Sequence, residues 1–184
     1  MKFLNFKSGL AALGLLAASI NGMAQSATVT FTGTVNSATC YITLSTSSGS
    51  TTSATTLALT LPTVSTTALT SGATAGKTSF YMGVSGCTAG TALTPNLYLS
   101  SSSVTGGYLV SGVTNLVFEL LDSTSTTVSL TAIPVSKATF TVPTTTTATT
   151  AYSSQFFIQY RANGAAVSAT GTPTATLTVN LLYS

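Results

Sequence analysis

The chain has 184 residues, of which only seven are charged (five Lys or Arg, two Asp or Glu), and it has no His and no Trp. Soluble domains are about 25% charged, so at 4% this surface must be wetted by hydroxyls, and there are 26 Ser and 40 Thr to do it. Without His the commonest general base and metal ligand is missing. Two acids and two Cys leave little for a carboxylate dyad or a zinc site, and a few scattered cations cannot form a nucleic-acid-binding face. Composition therefore argues against an enzyme, a cofactor, a metal and a nucleic-acid partner.

Residues 1–24 read as a secretory signal. Lys2 and Lys7 form a basic start, Gly9 to Ile20 is a twelve-residue, mostly apolar run, and Gly22-Met23-Ala24 is a small-x-small cleavage site. The run is shorter than the about 20 residues a bilayer span needs. Removing 24 of 184 residues leaves 160, and the net charge falls from +3 to +1 as two of the five cations are lost. That length suits one hydrophobic core. Cys40 and Cys87 are the only cysteines, and export favours a disulfide between them. Closing a loop of about 47 residues would contribute roughly 4 kcal/mol in the chain-entropy description. Two free thiols or an intermolecular bridge are the alternatives.

Beyond the signal, apolar residues recur at period two, and Thr, Val, Tyr and Phe favour pleated surfaces. Ala27, Val29, Phe31, Gly33 and Val35 alternate with threonines; Cys40, Ile42 and Leu44 follow, then Leu57, Leu59 and Leu61 before Pro62. Phe80, Met82 and Val84 lead to Cys87. Further strands are predicted over Asn96 to Ser100, Asn115 to Leu121, Thr127 to Thr131, Ala138 to Val142, Ser154 to Ala162 and Thr174 to Tyr183. Ser45 to Thr56, Ser101 to Gly107 and Thr144 to Thr150 read as loops. Short strands so punctuated predict one all-β sandwich. Gly72 to Thr78 (GATAGKT) is one residue short of a phosphate-binding loop and has no helix to follow. Glu119 and Asp122 lie three apart on a strand, on opposite faces, which suits surface solubilisation better than paired acid–base work.

The two ends are the most informative. The last strand alternates Ala175, Leu177, Val179, Leu181 and Tyr183 against mostly polar residues and runs to the penultimate position, so no later strand covers its edge. An open apolar edge is an aggregation hazard unless something pairs with it. The alternating segment Ala27 to Val35 lies ahead of a sandwich that begins near Cys40. It is a free complement for a neighbour's open edge, or else simply the first strand of a closed sandwich; periodicity leaves both readings open.

Several stretches then carry a resemblance. Thr28 to Val35 followed by Cys40, Lys77 to Cys87 (KTSFYMGVSGC), Asn115 to Asp122 (NLVFELLD), and Gln155 to Ala162 with Gly164, Gly171 and penultimate Tyr183 are in order along the chain. Together they resemble the major subunits of type 1 fimbriae, the chaperone–usher pilins of Gram-negative bacteria. The resemblance implies an incomplete immunoglobulin-like β-sandwich completed by a donor strand from a neighbouring subunit. It divides the chain into a signal peptide (1–24), an N-terminal donor-strand extension (25–36) and a pilin domain (37–184). It makes Val29, Phe31, Gly33 and Val35 the donor-strand residues, and Ala175, Leu177, Val179, Leu181 and Tyr183 the acceptor strand. The implied partners are copies of itself, a periplasmic pilus chaperone and an outer-membrane usher. The implied destination, reached through the periplasm, is the cell surface, for adhesion or biofilm formation. A minor adaptor subunit would share these motifs, and a self-contained secreted sandwich acting as a binding module is the remaining alternative. Fewer charges than is usual in the family leave rod geometry and surface properties open.

Overall fold

In the computed structural model, residues 24–35, 40–87, 94–142, 150–168 and 171–183 are described. Residues 1–23 of the expected signal segment, residues 143–149 and Ser184 lie outside the described residues. Among the described residues, eleven strands and a single 3-10 turn (Thr66–Ala68) make up the regular structure: β1 (Ala24–Val35), β2 (Tyr41–Ser45), β3 (Thr56–Ser65), β4 (Thr74–Ser85), β5 (Pro95–Ser100), β6 (Val104–Thr105), β7 (Tyr108–Val110), β8 (Leu116–Leu121), β9 (Val135–Thr139), β10 (Tyr152–Ala162) and β11 (Thr174–Tyr183). They form two sheets, one ordered β3-β1-β11-β5-β9 and the other β2-β4-β10-β8-β7-β6.

The core lies between the sheets, and period two sorts the side chains into it. Along β10, Phe156, Ile158, Tyr160 and Ala162 are buried while Phe157, Gln159 and Arg161 are half-buried on the other face. Phe80, Met82 and Val84 of β4 and Leu177, Val179 and Leu181 of β11 follow the same rule. Two backbones approach so closely that only glycine fits. A Cβ at Gly83, in β4, would run into the Tyr152 carbonyl of β10. Cys40 and Cys87 are joined and fully buried. The bond ties the start of β2 to the end of β4, beside the Tyr41–Ser85 pair.

Three local features differ from the sequence reading. Ser101 to Gly107 is not a plain loop, because β6 and β7 form a hairpin around Gly106-Gly107, both at positive φ (55° and 89°). A Gly-Gly pair between Val104 and Tyr108 is a recognisable two-residue turn signal. Thr127 to Thr131 makes only one bridge, Thr127 to Leu121, with the Val128 N–H donating to the Leu120 carbonyl. The tight turn before it spends the chain on Asp122, whose carboxylate accepts from the Thr124 and Thr126 N–H groups. The strand expected over Ala138 to Val142 begins earlier, at Val135, and Phe140 and Val142 are buried beyond its end. Gly72 to Thr78 lies largely in β4, where Gly76 packs against Tyr160.

Candidate functional site

β1 does not stand ahead of the sandwich; it occupies a slot inside it. Thr28 to Val35 pair in parallel with Thr174 to Leu181 of β11, and Ala27 to Thr32 pair antiparallel with Leu61 to Thr56 of β3. Among the described residues β3 has no other strand neighbour, so β1 is there the sole hydrogen-bonded link between β3 and the other three strands of its sheet. The edge of β11 expected to lie open is thereby covered, with β1 on one side and β5 on the other. Physically, a segment that is tethered a few residues from the sandwich is present at an effective concentration in the millimolar range, so an isolated chain fills its own slot.

The slot reads the alternation of β1. Ala27, Val29 and Phe31 point inward and are buried, while Thr28, Thr30 and Thr32 lie on the outer face. The Phe31 ring sits 4.4 Å from that of Phe80 on the opposite sheet, and Phe80 is 6.0 Å from Phe156. Leu59 and Leu61 of β3 and Leu177 and Val179 of β11 line the slot on its two sides. Gly33 and Val35 pair with Val179 and Leu181, and Tyr183 with Pro95 of β5; their side chains lie outside the described residues. Ala175 is only half-buried, opposite Val29. The outer face of β1 borders a cleft of about 400 Å³ lined by hydroxyls of Thr28, Thr30, Ser101, Ser111 and Thr176 and, among the described residues, by no charged side chain. Ser101 donates from its hydroxyl to the Thr176 carbonyl there.

Charge gathers on the opposite sheet. Glu119, expected at the surface, is buried (3% exposed), and it accepts from Thr127 Oγ1 at 2.7 Å, Gln159 Nε2 at 2.9 Å and Arg161 Nη1 at 3.3 Å. Arg161 also lies over the Tyr108 ring at 5.1 Å, and Lys77 over the Phe157 ring at 4.1 Å. Burial pushes the Glu119 carboxyl up, but the hydrogen bonds from Thr127 and Gln159 and the Arg161 guanidinium outweigh it and hold the group below 4.5. A carboxyl so depressed stabilises the fold above its unfolded value and loses that contribution as pH falls through the folded one. Glu119→Ala is therefore expected to cost about 1–3 kcal/mol at pH 7 and to remove part of the loss of stability expected in acid, measured by denaturant titration. Equal acid sensitivity in mutant and wild type would show that Glu119 is not the group responsible. Sequence spacing alone missed this cluster, because nothing local signals which outward face another segment will cover.

A family described as fimbrial protein matches residues 29–184. No curated protein matches the sequence. Among solved structures, the P pilus rod subunit PapA is similar in fold, with a TM-score of 0.56 at 16% identity over 80% of this chain and 100% of that one. A type I fimbria protein and antigen of Burkholderia pseudomallei matches at a TM-score of 0.43 and 20% identity, over 88% of this chain and 94% of that one. The CupB6 tip adhesin of Pseudomonas aeruginosa matches at 0.43 and 13%, over 62% of this chain and 37% of that one.

Proposed function

This chain belongs to the fimbrial protein family, and we propose that its copies join head to tail by exchanging β1 between neighbouring sandwiches. It is a structural subunit of a fimbria, exported and assembled at the cell surface. The observation that supports exchange is the placement of β1: among the described residues it is the only hydrogen-bonded link across its slot. The same strand from a second copy can replace it without rebuilding the rest of the sandwich. Strand addition at a sheet edge is a known recognition mode, and chaperone–pilin complementation is among its named examples.

The slot tolerates either strand direction. β1 is antiparallel to β3 and parallel to β11, so any strand between those two is parallel to one and antiparallel to the other, whichever way it enters. The chain's own β1 has no such choice. Reversed, it would carry Val35 about 25 Å along the slot at roughly 3.3 Å per residue, farther than five residues to Cys40 reach at about 3.6 Å each. A neighbour's strand carries no tether and is free to run the other way.

A closed chain and a fibre bury the same β1 side chains, while the tether gives closure a concentration advantage. Growth of a fibre from closed subunits therefore needs a factor that keeps the slot open. A periplasmic chaperone that lends a strand, followed by exchange at an outer-membrane usher, meets that need. Residues 1–24 as a signal peptide fit the same route.

The test is to express the subunit without residues 24–35 and add a peptide of residues 25–35. The truncated subunit is expected to be unfolded alone and to form an equimolar folded complex with the peptide, read by native mass spectrometry and circular dichroism. A truncated subunit that folds as a monomer without the peptide overturns the proposal.

A further inference from the structure

The connection that leaves β10 begins Asn163-Gly164-Ala165-Ala166, and all four residues are exposed. Two hydrogen bonds tie its backbone down. The Asn163 N–H donates to the Asn115 carbonyl at 2.8 Å, and Ser71 Oγ donates to the Gly164 carbonyl at 2.8 Å. Between those ties, and among the described residues, the Asn163 carboxamide and the Gly164 N–H make no hydrogen bond. Gly164 has a φ of +85°, and a Cβ built there would meet nothing. An electrophilic side-chain carbon and the next backbone nitrogen are thus adjacent along the chain and open to water. Gly164 has no side chain to obstruct their approach.

We propose that Asn163 is a modification site, where the side-chain amide is lost spontaneously and a carboxylate takes its place. Hydroxide takes the proton of the Gly164 nitrogen, which then attacks Asn163 Cγ. A nitrogen–carbon bond forms, and the side-chain nitrogen leaves as ammonia with a proton returned from solvent, so that a cyclic imide closes. Water then opens the imide. Attack at Cγ gives Asp, and attack at the main-chain carbonyl gives isoaspartate, with the main chain rerouted through the former side chain. Neither step oxidises or reduces anything, and water is the only co-reactant.

The fold makes this asparagine differ from the others. Of the five asparagines beyond residue 24, only Asn163 precedes a glycine. Asn96, Asn115 and Asn180 each precede a buried leucine: Leu97, Leu116 and Leu181. Leu97 and Leu181 face each other across the β5–β11 ladder, and the Leu116 N–H donates to the Val113 carbonyl at 3.1 Å. Those nitrogens turn onto the preceding side chain only if a core strand opens, which costs far more than opening a loop. Asn36, which precedes Ser37, lies outside the described residues.

The product matters because charge is scarce. Beyond residue 24 the chain carries Lys77, Lys137, Arg161, Glu119 and Asp122, a net +1, and a carboxylate at residue 163 takes it to zero. Proteins without net charge associate more readily, so subunits drift toward self-association as they age. Ser71 restrains the reaction: the Gly164 nitrogen must turn toward Cγ while the carbonyl of the same residue is held by that hydroxyl. The chemistry needs only the β10–β11 connection, which a closed chain and an exchanged one share.

The test holds the oxidised, exported chain in neutral and in mildly alkaline buffer and maps its peptides over time by mass spectrometry. Asn163 is expected to convert at least about tenfold faster than Asn96, Asn115 or Asn180, given the cost of opening their strands. Its rate should rise with pH, with ammonia released in step and isoaspartate among the products. Asn163→Asp supplies the product's position in isoelectric focusing, more acidic than fresh wild type by one charge. Ser71→Ala, which truncates an exposed side chain, is expected to speed the conversion about two- to tenfold for the loss of one hydrogen bond. Equal rates at the four asparagines, or a rate at Asn163 that ignores pH, would overturn the site. An unchanged rate in Ser71→Ala would overturn the restraint. Both measurements are made on folded subunits, so their failure leaves strand exchange standing, and failure of peptide complementation leaves the modification standing.

Discussion

Phe31→Asp is expected to reduce surface polymer at least about a hundredfold while chaperone-bound subunit still accumulates in the periplasm. Phe31 is fully buried against Phe80, so its truncation alone costs about 3–5 kcal/mol. A carboxylate in that position adds a desolvation cost of several kcal/mol more, and an ordinary domain has only about 5–15 kcal/mol of stability in total. The side chain therefore seats neither in its own slot nor, on the exchange reading, in a neighbour's. A borrowed strand would bypass the lesion, which is why the chaperone-bound pool should survive. Immunoblots of sheared fimbriae and of periplasmic extracts measure the two pools, and wild-type amounts of surface polymer would remove Phe31 from the donor strand. Phe31→Leu, which keeps most of the apolar volume, should recover part of the polymer.

The second large effect belongs to the disulfide. Replacing both Cys40 and Cys87 by Ser is expected to destabilise the closed chain by about 4 kcal/mol, since the bond closes a loop with a sequence separation of 47. At about 2–4 °C per kcal/mol for a chain of this size, the midpoint of thermal unfolding should fall by roughly 8–16 °C. The two sulfurs are buried at the end of the β2–β4 ladder, so two Ser hydroxyls placed there add to the loss. Differential scanning calorimetry of the oxidised wild type and the double mutant measures it. A shift under about 3 °C would show that the chain bounded by the two cysteines is ordered without the bond.

Much of the fold is legible in the sequence because strand alternation is a local property. The segments around Ala27–Val35, Phe80–Val84, Asn115–Leu121, Ser154–Ala162 and Thr174–Tyr183 all read at period two, and the structure has strands at each. The single pair of cysteines, in an exported chain, allows one intramolecular bond, and it is present. Reading failed where the deciding partner is remote. Glu119 alternates outward with Val117 and Leu121 of β8, yet all three are buried, because the return past Thr127 and the side chains of Gln159 and Arg161 cover that face.

The sequence by itself determined that the chain is a hydroxyl-wetted, nearly uncharged stack of strands with a complementary alternating segment at each end. Local chemistry suffices for that: threonine favours extended backbone, alternation assigns faces, and five charges left after residue 24 give little repulsion between copies. Only the tertiary structure decided which edge each end meets. Pairing is chosen by backbone groups that are alike at every residue, so alternation is compatible with many partners and with registers two apart. The three-dimensional arrangement placed β1 between β3 and β11 and brought Phe31 onto Phe80.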